Sequence, residues 1–136
     1  IMSYSAKYAS NFYGPFRHAV NSAAKLKNSN KKTYQMDFRN AKEALREIKQ
    51  DVAEGADSLI VKPAMIYLDI IKDAAQNCEL PVIAYQVSGE YAMLKFAAQN
   101  DCFDFDKAMF ESLIACKRAG ASAIITYAAI EVARLL

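Results

Sequence analysis

The stretch Ser58-Leu59-Ile60-Val61-Lys62-Pro63 decides the fold class of this chain. Its apolar residues follow one another without alternation, which is typical of a strand buried on both faces in a parallel sheet. Similar runs at 1–7, 81–85 and 122–127 predict three further strands of the same kind.

Helical patterns fill the intervals between these strands. Asp37 is a predicted cap for a helix whose apolar residues recur at three- and four-residue spacing until Gly55. Asp104 and Gly120 are predicted to begin and end a later helix. The predicted helices after the first span 67–77, 90–99, 105–118 and 129–136.

Strands that alternate with helices fold as parallel βα units. A complete (β/α)8 barrel takes roughly 250 residues. The 136 residues therefore predict an α/β fold with four βα units, the C-terminal half of a TIM barrel, as a single partial domain over 1–136. An open doubly wound sheet is the alternative, but the chain has no GxGxxG turn for a cofactor phosphate.

The composition excludes several classes of protein. With 54% hydrophobic and 24% charged residues, the chain can build a core and is not a disordered sequence. The net charge of +2 is too small for a nucleic-acid-binding protein. Because no apolar run approaches the about 20 residues of a membrane span, and no secretory leader is recognisable, we expect neither nucleic acid nor membrane as a partner.

The cysteines and the histidine offer little chemistry. Cys78, Cys102 and Cys116 form no CxxC pair, which argues against a zinc cage or a disulfide framework and predicts a reduced, cytoplasmic protein. The only histidine, His18, is predicted to be an ordinary surface residue. The segment 14–35 is polar and longer than ordinary connections, so we predict that it forms an active-site lid.

Lysines end two of the predicted strands, at Lys7 and Lys62. The carboxyl ends of barrel strands face the active site. Desolvation and a second nearby ammonium both lower a lysine pKa, and the neutral amine can then attack a ketone and form a Schiff base. Alternatively, each lysine extends into solvent. Two such lysines on neighbouring strands would favour a catalytic pair.

Other polar groups follow the strands and suit an acidic ligand. Ser88 offers a hydroxyl and a helix N-terminus to a carboxylate, or is a plain N-cap. Tyr127 adds a second hydroxyl, or is a half-buried aromatic residue. Arg17 can pair with a carboxylate, or forms a surface salt bridge. A set of aromatic residues either shields a Schiff base from water or packs the loop: Phe12, Tyr13 and Phe16.

The motifs closely resemble the porphobilinogen synthase family, also called 5-aminolevulinate dehydratase. The resemblance runs along nearly the whole chain in the right order, and it is carried by the stretches 2–17, 32–37, 54–57, 61–63, 67–70, 85–93 and 118–121. Tyr-Ser-Ala-Lys at 4–7 and Val-Ser-Gly-Glu at 87–90 are hard to produce together by chance.

The resemblance implies an eight-unit barrel with an N-terminal arm, usually assembled as an octamer. It implies condensation of two 5-aminolevulinate molecules to porphobilinogen, with each substrate held through a lysine Schiff base. Lys62 matches the lysine of the first substrate, which becomes the propionate side of the product. Lys7 matches the lysine of the second substrate, on the acetate side.

The resemblance also implies roles for the surrounding residues. Ser88 and Tyr127 match the pair that holds the first carboxylate. Glu47 matches the ligand of an allosteric Mg²⁺, although by sequence alone it is an ordinary exposed helix residue. The active-site metal, Zn²⁺ or Mg²⁺, belongs to the family's other half and is not identified here. The lid residues that match those gripping the second carboxylate are Arg17, Lys31 and Gln35.

The family's first four strands and its arm have no counterpart in these residues. We therefore expect a fragment with two exposed strand edges that pairs with a second copy, a homo-oligomer. Two alternatives remain open at this point. One is a class I aldolase, which needs only one barrel lysine, and the other is a catalytically inactive assembly module.

Overall fold

The fold was taken from a computed structural model that describes residues 1–20 and 34–136; the predicted lid residue Lys31 lies outside the described residues. The four strands are β1 (Met2–Lys7), β2 (Ser58–Lys62), β3 (Val82–Tyr85) and β4 (Ala123–Ile125). The helices are α1 (Gly14–Ala19), α2 (Ala41–Ala53), α3 (Leu68–Asn77), α4 (Ser88–Gln99), α5 (Phe105–Ala119) and α6 (Ala129–Ala133), with a 3-10 turn at Asn11–Tyr13.

The strands form one parallel sheet in the order β1-β2-β3-β4. Sequential parallel strands with helical crossovers confirm the predicted partial barrel. Alternate strand residues such as Leu59 and Val61 pack on the helices, against Ile48 of α2 and Ile71 of α3. Ile60, on the opposite face of β2 by strand alternation, is also only 2% exposed. Burial on both faces explains the continuous apolar runs.

The helix ends only partly follow the predictions. The Asp104 carboxylate accepts a hydrogen bond from the Lys107 N–H at 2.9 Å, which confirms it as a cap. Gly120 ends α5 with φ of +116°, a conformation that favours glycine. The prediction for Asp37 is wrong, because Asn40 occupies the N-cap position of α2. Asp37 instead pairs with the Arg39 guanidinium at 2.6 Å, in a local turn.

The first part of the predicted lid is helical. Pro15 stands in the first turn of α1, where its fixed φ and missing N–H suit a helix start. Before it, the Ser10 hydroxyl accepts from the Phe12 N–H at 3.1 Å and begins the 3-10 turn. His18 is exposed on α1, as predicted. In the described part of the chain, no helix combines the length and apolarity needed to cross a membrane.

Candidate functional site

The two strand-end lysines lie side by side. In the register of β1 and β2, Lys7 is the partner of Lys62, and neighbouring strands run about 4.8 Å apart. Both side chains are half-buried. The Nζ of Lys7 lies 5.7 Å from the centre of the Tyr4 ring, and the Nζ of Lys62 lies 4.4 Å from the same ring. The structure therefore brings both amines to the same aromatic ring.

Aromatic rings surround the Lys62 amine. Besides Tyr4, the Tyr85 ring centre lies 4.7 Å and the Tyr13 ring centre 5.4 Å from its Nζ. The faces of such rings attract a cation within about 6 Å of their centres. The surroundings of the Lys62 amine are therefore aromatic, and they favour a positive charge at its nitrogen.

Tyr13 links Lys62 to the predicted carboxylate-binding Arg17. Its hydroxyl donates a hydrogen bond to the Lys62 carbonyl oxygen at 3.3 Å. Burial raises the pKa of the Tyr13 phenol well above its usual value, so the group remains a neutral donor. The Arg17 guanidinium carbon lies 5.4 Å from the Tyr13 ring centre. One ring thus contacts both a candidate catalytic amine and a candidate anion-binding group.

The residues on either side of Gln35 contact Lys7 at the carboxyl end of β1. The Met36 N–H donates to the Lys7 carbonyl oxygen at 3.1 Å, and the Tyr34 ring centre lies 5.6 Å from the Lys7 Nζ. Gln35 is 9% exposed, and its Oε1 has no hydrogen-bond partner within residues 1–20 and 34–136. It lines a cavity of about 450 Å³ beside the chain that follows β1, although neither lysine lines that cavity.

Ser88 is the first residue of α4, and Val87 occupies the N-cap position. The N-cap interpretation of Ser88 is therefore wrong. Its Oγ instead accepts a hydrogen bond from the Phe16 N–H at 3.0 Å. Because a hydroxyl accepts and donates at once, its proton remains available to a ligand.

Tyr127 lies next to the aromatic rings around Lys62. Its ring centre is 6.1 Å from that of Tyr91. The pKa of Tyr85 is raised first by burial and then by the charge of Tyr127 and a hydrogen bond with it. Tyr85 thus connects Tyr127 to the Lys62 amine. Of the other loop aromatics, Phe12 is half-buried and Phe16 is 49% exposed.

Glu47 lies apart from this site, on the outer surface of α2. It accepts a hydrogen bond from the Arg46 guanidinium at 3.1 Å. Within the described ranges, no group of three or more His, Cys, Asp or Glu side chains is placed to hold a metal ion.

Sequence reasoning overlooked three side chains. Tyr85 ends β3 as Lys62 ends β2, so the strand-end rule applied to Lys62 would also have found it. Tyr4 carries no such signal, because a register shift between Ser3 and Ala6 in β1 sets which way the strand residues face. Glu90, fully buried at the start of α4, showed only the spacing of a capping residue.

Together these features define a partial (β/α)8-barrel protein with a pair of lysines at the carboxyl ends of neighbouring strands. The family model described as "Delta-aminolevulinic acid dehydratase" matches residues 1–135. The chain belongs to the delta-aminolevulinic acid dehydratase family.

Individual relatives agree with this assignment. The chain is 52% identical over 136 residues to the delta-aminolevulinic acid dehydratase of Staphylococcus aureus (strain Mu50), and 54% identical to that of Bradyrhizobium diazoefficiens. It covers 41% and 38% of those proteins, so it spans about two fifths of their length. The Toxoplasma gondii ME49 enzyme, crystallised with the reaction product porphobilinogen, superimposes with a TM-score of 0.95 at 48% identity; all of this chain and 38% of that one are covered.

Proposed function

We propose that this chain carries the substrate-binding lysines of a dehydratase that condenses two 5-aminolevulinate molecules to porphobilinogen in tetrapyrrole (heme) biosynthesis. The observation that supports it most is the register that places Lys7 beside Lys62, with both amines at the Tyr4 ring. A condensation of two keto acids needs two such anchors close together. A single-lysine aldolase does not need the second one.

At Lys62, the amine attacks the ketone of the first substrate, and water leaves as the C=N bond forms. The protonated iminium carries positive charge where the rings of Tyr4, Tyr13 and Tyr85 surround the nitrogen, and they stabilise it. The iminium makes the adjacent carbon more acidic. Lys7 holds the second substrate for carbon–carbon and carbon–nitrogen bond formation.

Carboxylate contacts orient the two substrates. Ser88 and Tyr127 bind the first carboxylate, since Tyr127 interacts with Tyr85 beside Lys62 and the Ser88 hydroxyl contacts the Phe16 N–H, three residues after Tyr13. The second carboxylate is bound by the lid residues Arg17, Lys31 and Gln35. Holding two reactants in register contributes roughly 7–11 kcal/mol to the acceleration.

Borohydride reduction in the presence of 5-aminolevulinate tests this proposal, with intact mass and peptide mapping as the readout. We expect one adduct on Lys7 and one on Lys62. Lys62→Met should abolish the adduct on Lys62, which traps the first substrate, whereas Lys72→Met, at an exposed lysine on α3, serves as the matched control. Continued labelling of the same peptide in Lys62→Met would refute the assignment.

The same assay separates the alternatives. An adduct on one lysine with a sugar phosphate would favour an aldolase, and no adduct with any ketone would favour an assembly module. Turnover is measured in a chimaera in which these residues replace the matching segment of the Staphylococcus aureus protein, because the chain covers only 41% of it.

A magnesium role for Glu47 is a further part of the proposal. Mg²⁺ usually keeps several waters and binds through one or two carboxylates, so a single glutamate fits if Arg46 releases it. We expect Mg²⁺ to raise the melting temperature of the chimaera and Glu47→Gln to remove that effect. An unchanged response in Glu47→Gln would exclude this residue as a ligand.

Assembly and location are proposed on narrower grounds. Edge strands β1 and β4 carry exposed apolar residues, Met2 (52%), Tyr4 (51%) and Ile125 (36%), which favour pairing with a second copy in a homo-oligomer, an octamer in the family. Light scattering that shows a stable monomer of this chain would refute the pairing. The thiols of Cys78, Cys102 and Cys116 are free, as expected for the proposed cytoplasmic location.

A further inference from the structure

Glu90 is a buried charged group that the proposed reaction does not use. Its side chain is 0% exposed, although carboxylates are almost never fully buried without partners. Its partners are backbone N–H groups: Ala64 donates to Oε1 at 3.1 Å, Met65 to Oε1 at 2.6 Å and Val87 to Oε2 at 2.7 Å. Burial raises the pKa of this carboxyl, and the backbone hydrogen bonds oppose that shift.

These N–H groups belong to two separate loops. Ala64 and Met65 follow Lys62 at the end of β2, and Val87 follows β3 just before Ser88. The paired register of β2 and β3 stops at Val61 and Ala84. Beyond that pair the two strands are no longer hydrogen-bonded to each other, and the Glu90 carboxylate joins the segments that follow them.

The two residues before Glu90 hold a third loop. The Ser88 Oγ accepts from the Phe16 N–H at 3.0 Å. At Gly89 the backbones are so close that a Cβ would lie 2.3 Å from the Phe12 carbonyl oxygen. Residues 88–90 therefore fasten the loops that follow β1 and β2 to the start of α4.

We propose that Glu90 is a positioning residue, whose carboxylate sets the distance between the Lys62 amine and the Ser88 hydroxyl. This inference rests on the proposed function, in which one substrate molecule contacts both groups. Lys62 is two residues from Ala64, and Ser88 is next to Val87. At about 3.5 Å of chain per residue, neither can move far while Glu90 holds its partners.

Two substitutions distinguish the hydrogen bonds of the Glu90 carboxylate from the space that its side chain fills. Glu90→Gln keeps the length but turns an NH₂ group towards one of the backbone N–H donors, so one loop is released. Glu90→Asp keeps both oxygens but shortens the reach by one methylene. Glu79→Gln, an exposed glutamate that follows α3, is the matched control.

The first readout is the ratio of borohydride-trapped 5-aminolevulinate on Lys62 to that on Lys7. A 1 Å misplacement of a reacting group can cost about 100-fold in rate. We expect Glu90→Gln to lower the labelling rate at Lys62 by about tenfold or more relative to Lys7. Glu79→Gln should leave the ratio unchanged. A merely destabilised fold would lower labelling at both lysines together.

The second readout is hydrogen exchange of backbone amides, which needs no substrate. In Glu90→Gln, the amides of the released loop, either Ala64 and Met65 or Val87, should exchange at least about tenfold faster, because they lose their buried acceptor. The amides of Ala9 and Met36, which are paired at the end of β1 at 2.8 and 3.1 Å, should keep their protection.

The outcomes are distinguishable. If the parent chain takes no label on either lysine, the proposed function fails, and the exchange result alone decides whether Glu90 ties the loops. If the unsubstituted chain is labelled but Glu90→Gln leaves the Lys62 to Lys7 ratio unchanged, including when labelling falls equally at both lysines, the positioning role is refuted. If neither variant folds, as judged by circular dichroism, Glu90 serves the whole fold and the specific role is refuted as well.

Discussion

Replacing Gly89 by alanine tests whether the loop after β1 is docked on α4 by direct backbone contact. A Cβ at this position would lie 2.3 Å from the Phe12 carbonyl oxygen and 2.7 Å from the Phe12 Cα. Ordinary Cβ contacts begin at 3.4 Å, so the two backbones must separate by about 1 Å. Both atoms that are struck belong to the main chain, and no side-chain rotation can relieve the clash.

The cost follows from this separation. The hydrogen bond from the Phe16 N–H to the Ser88 Oγ, now 3.0 Å, would lengthen beyond bonding distance. Overpacking costs about 1–3 kcal/mol and the lost hydrogen bond about 0.5–1.5 kcal/mol. Alanine recovers up to about 1 kcal/mol of helix propensity in α4. We expect a net loss of about 1–3 kcal/mol in the free energy of unfolding.

Thermal unfolding and hydrogen exchange measure this effect. The melting temperature of Gly89→Ala should fall by roughly 3–10 °C, and the Phe16 amide should exchange faster. Gly14→Ala is the matched control, since Gly14 has helical angles of −49° and −57° and no atom within 4 Å of a Cβ. It should be neutral or stabilise by about 0.4–1 kcal/mol. A Gly89→Ala variant with the parent's melting temperature and Phe16 protection would refute the docking.

Three further predictions concern other features of the site and the core. Tyr4→Leu should slow borohydride-trapped labelling of both lysines by about 2- to 30-fold, since a cation–π contact contributes about 0.5–2 kcal/mol. Tyr34→Leu should slow labelling of Lys7 only. Equal effects of the two variants on both lysines would contradict the shared role of Tyr4. Burial raises the pKa of the Cys116 thiol from 9.0 to about 11, so the folded state holds this proton more tightly. The contribution of this thiol to stability should therefore be complete below about pH 9 and fall by on the order of 2 kcal/mol towards pH 11 in urea titrations, and Cys116→Ala should remove that part of the decline. The Arg39 guanidinium lowers the pKa of Asp37 to about 2, so its ion pair should persist in acid until about that pH when followed by NMR, and a carboxyl titrating near its ordinary value would refute it.

Much of the fold could be read from local patterns. Continuous apolar runs located β2 and β3 to within one residue, because burial on both faces leaves a signal in the strand itself. Asp104 and Gly120 marked the ends of α5 for equally local reasons, a side-chain cap and a positive φ. The sequence does not predict the helix at 14–19, since this short segment has no apolar periodicity and Pro15 is its one signal of a helix start.

Single polar residues form contacts that local patterns do not predict. Because Asp and Ser favour the N-cap position in general, the sequence predicts Asp37 as an N-cap and allows the same role for Ser88. In the structure Asp37 turns to Arg39, and Ser88 stands one residue inside α4 with its hydroxyl on Phe16. In each case the side chain bonds a residue that the capping pattern does not include.

The sequence by itself determined the βα order, the strand-end positions of Lys7 and Lys62 and, through its motifs, the family. Only the tertiary structure decided that the two lysines share one register, that Tyr4, Tyr13 and Tyr85 surround one amine, and that Glu90 joins the loops after two strands. The physical reason is that periodicity and capping act within one or two turns of chain. Strand register and the meeting of loops depend on contacts between segments tens of residues apart, and they form only when the strands pair.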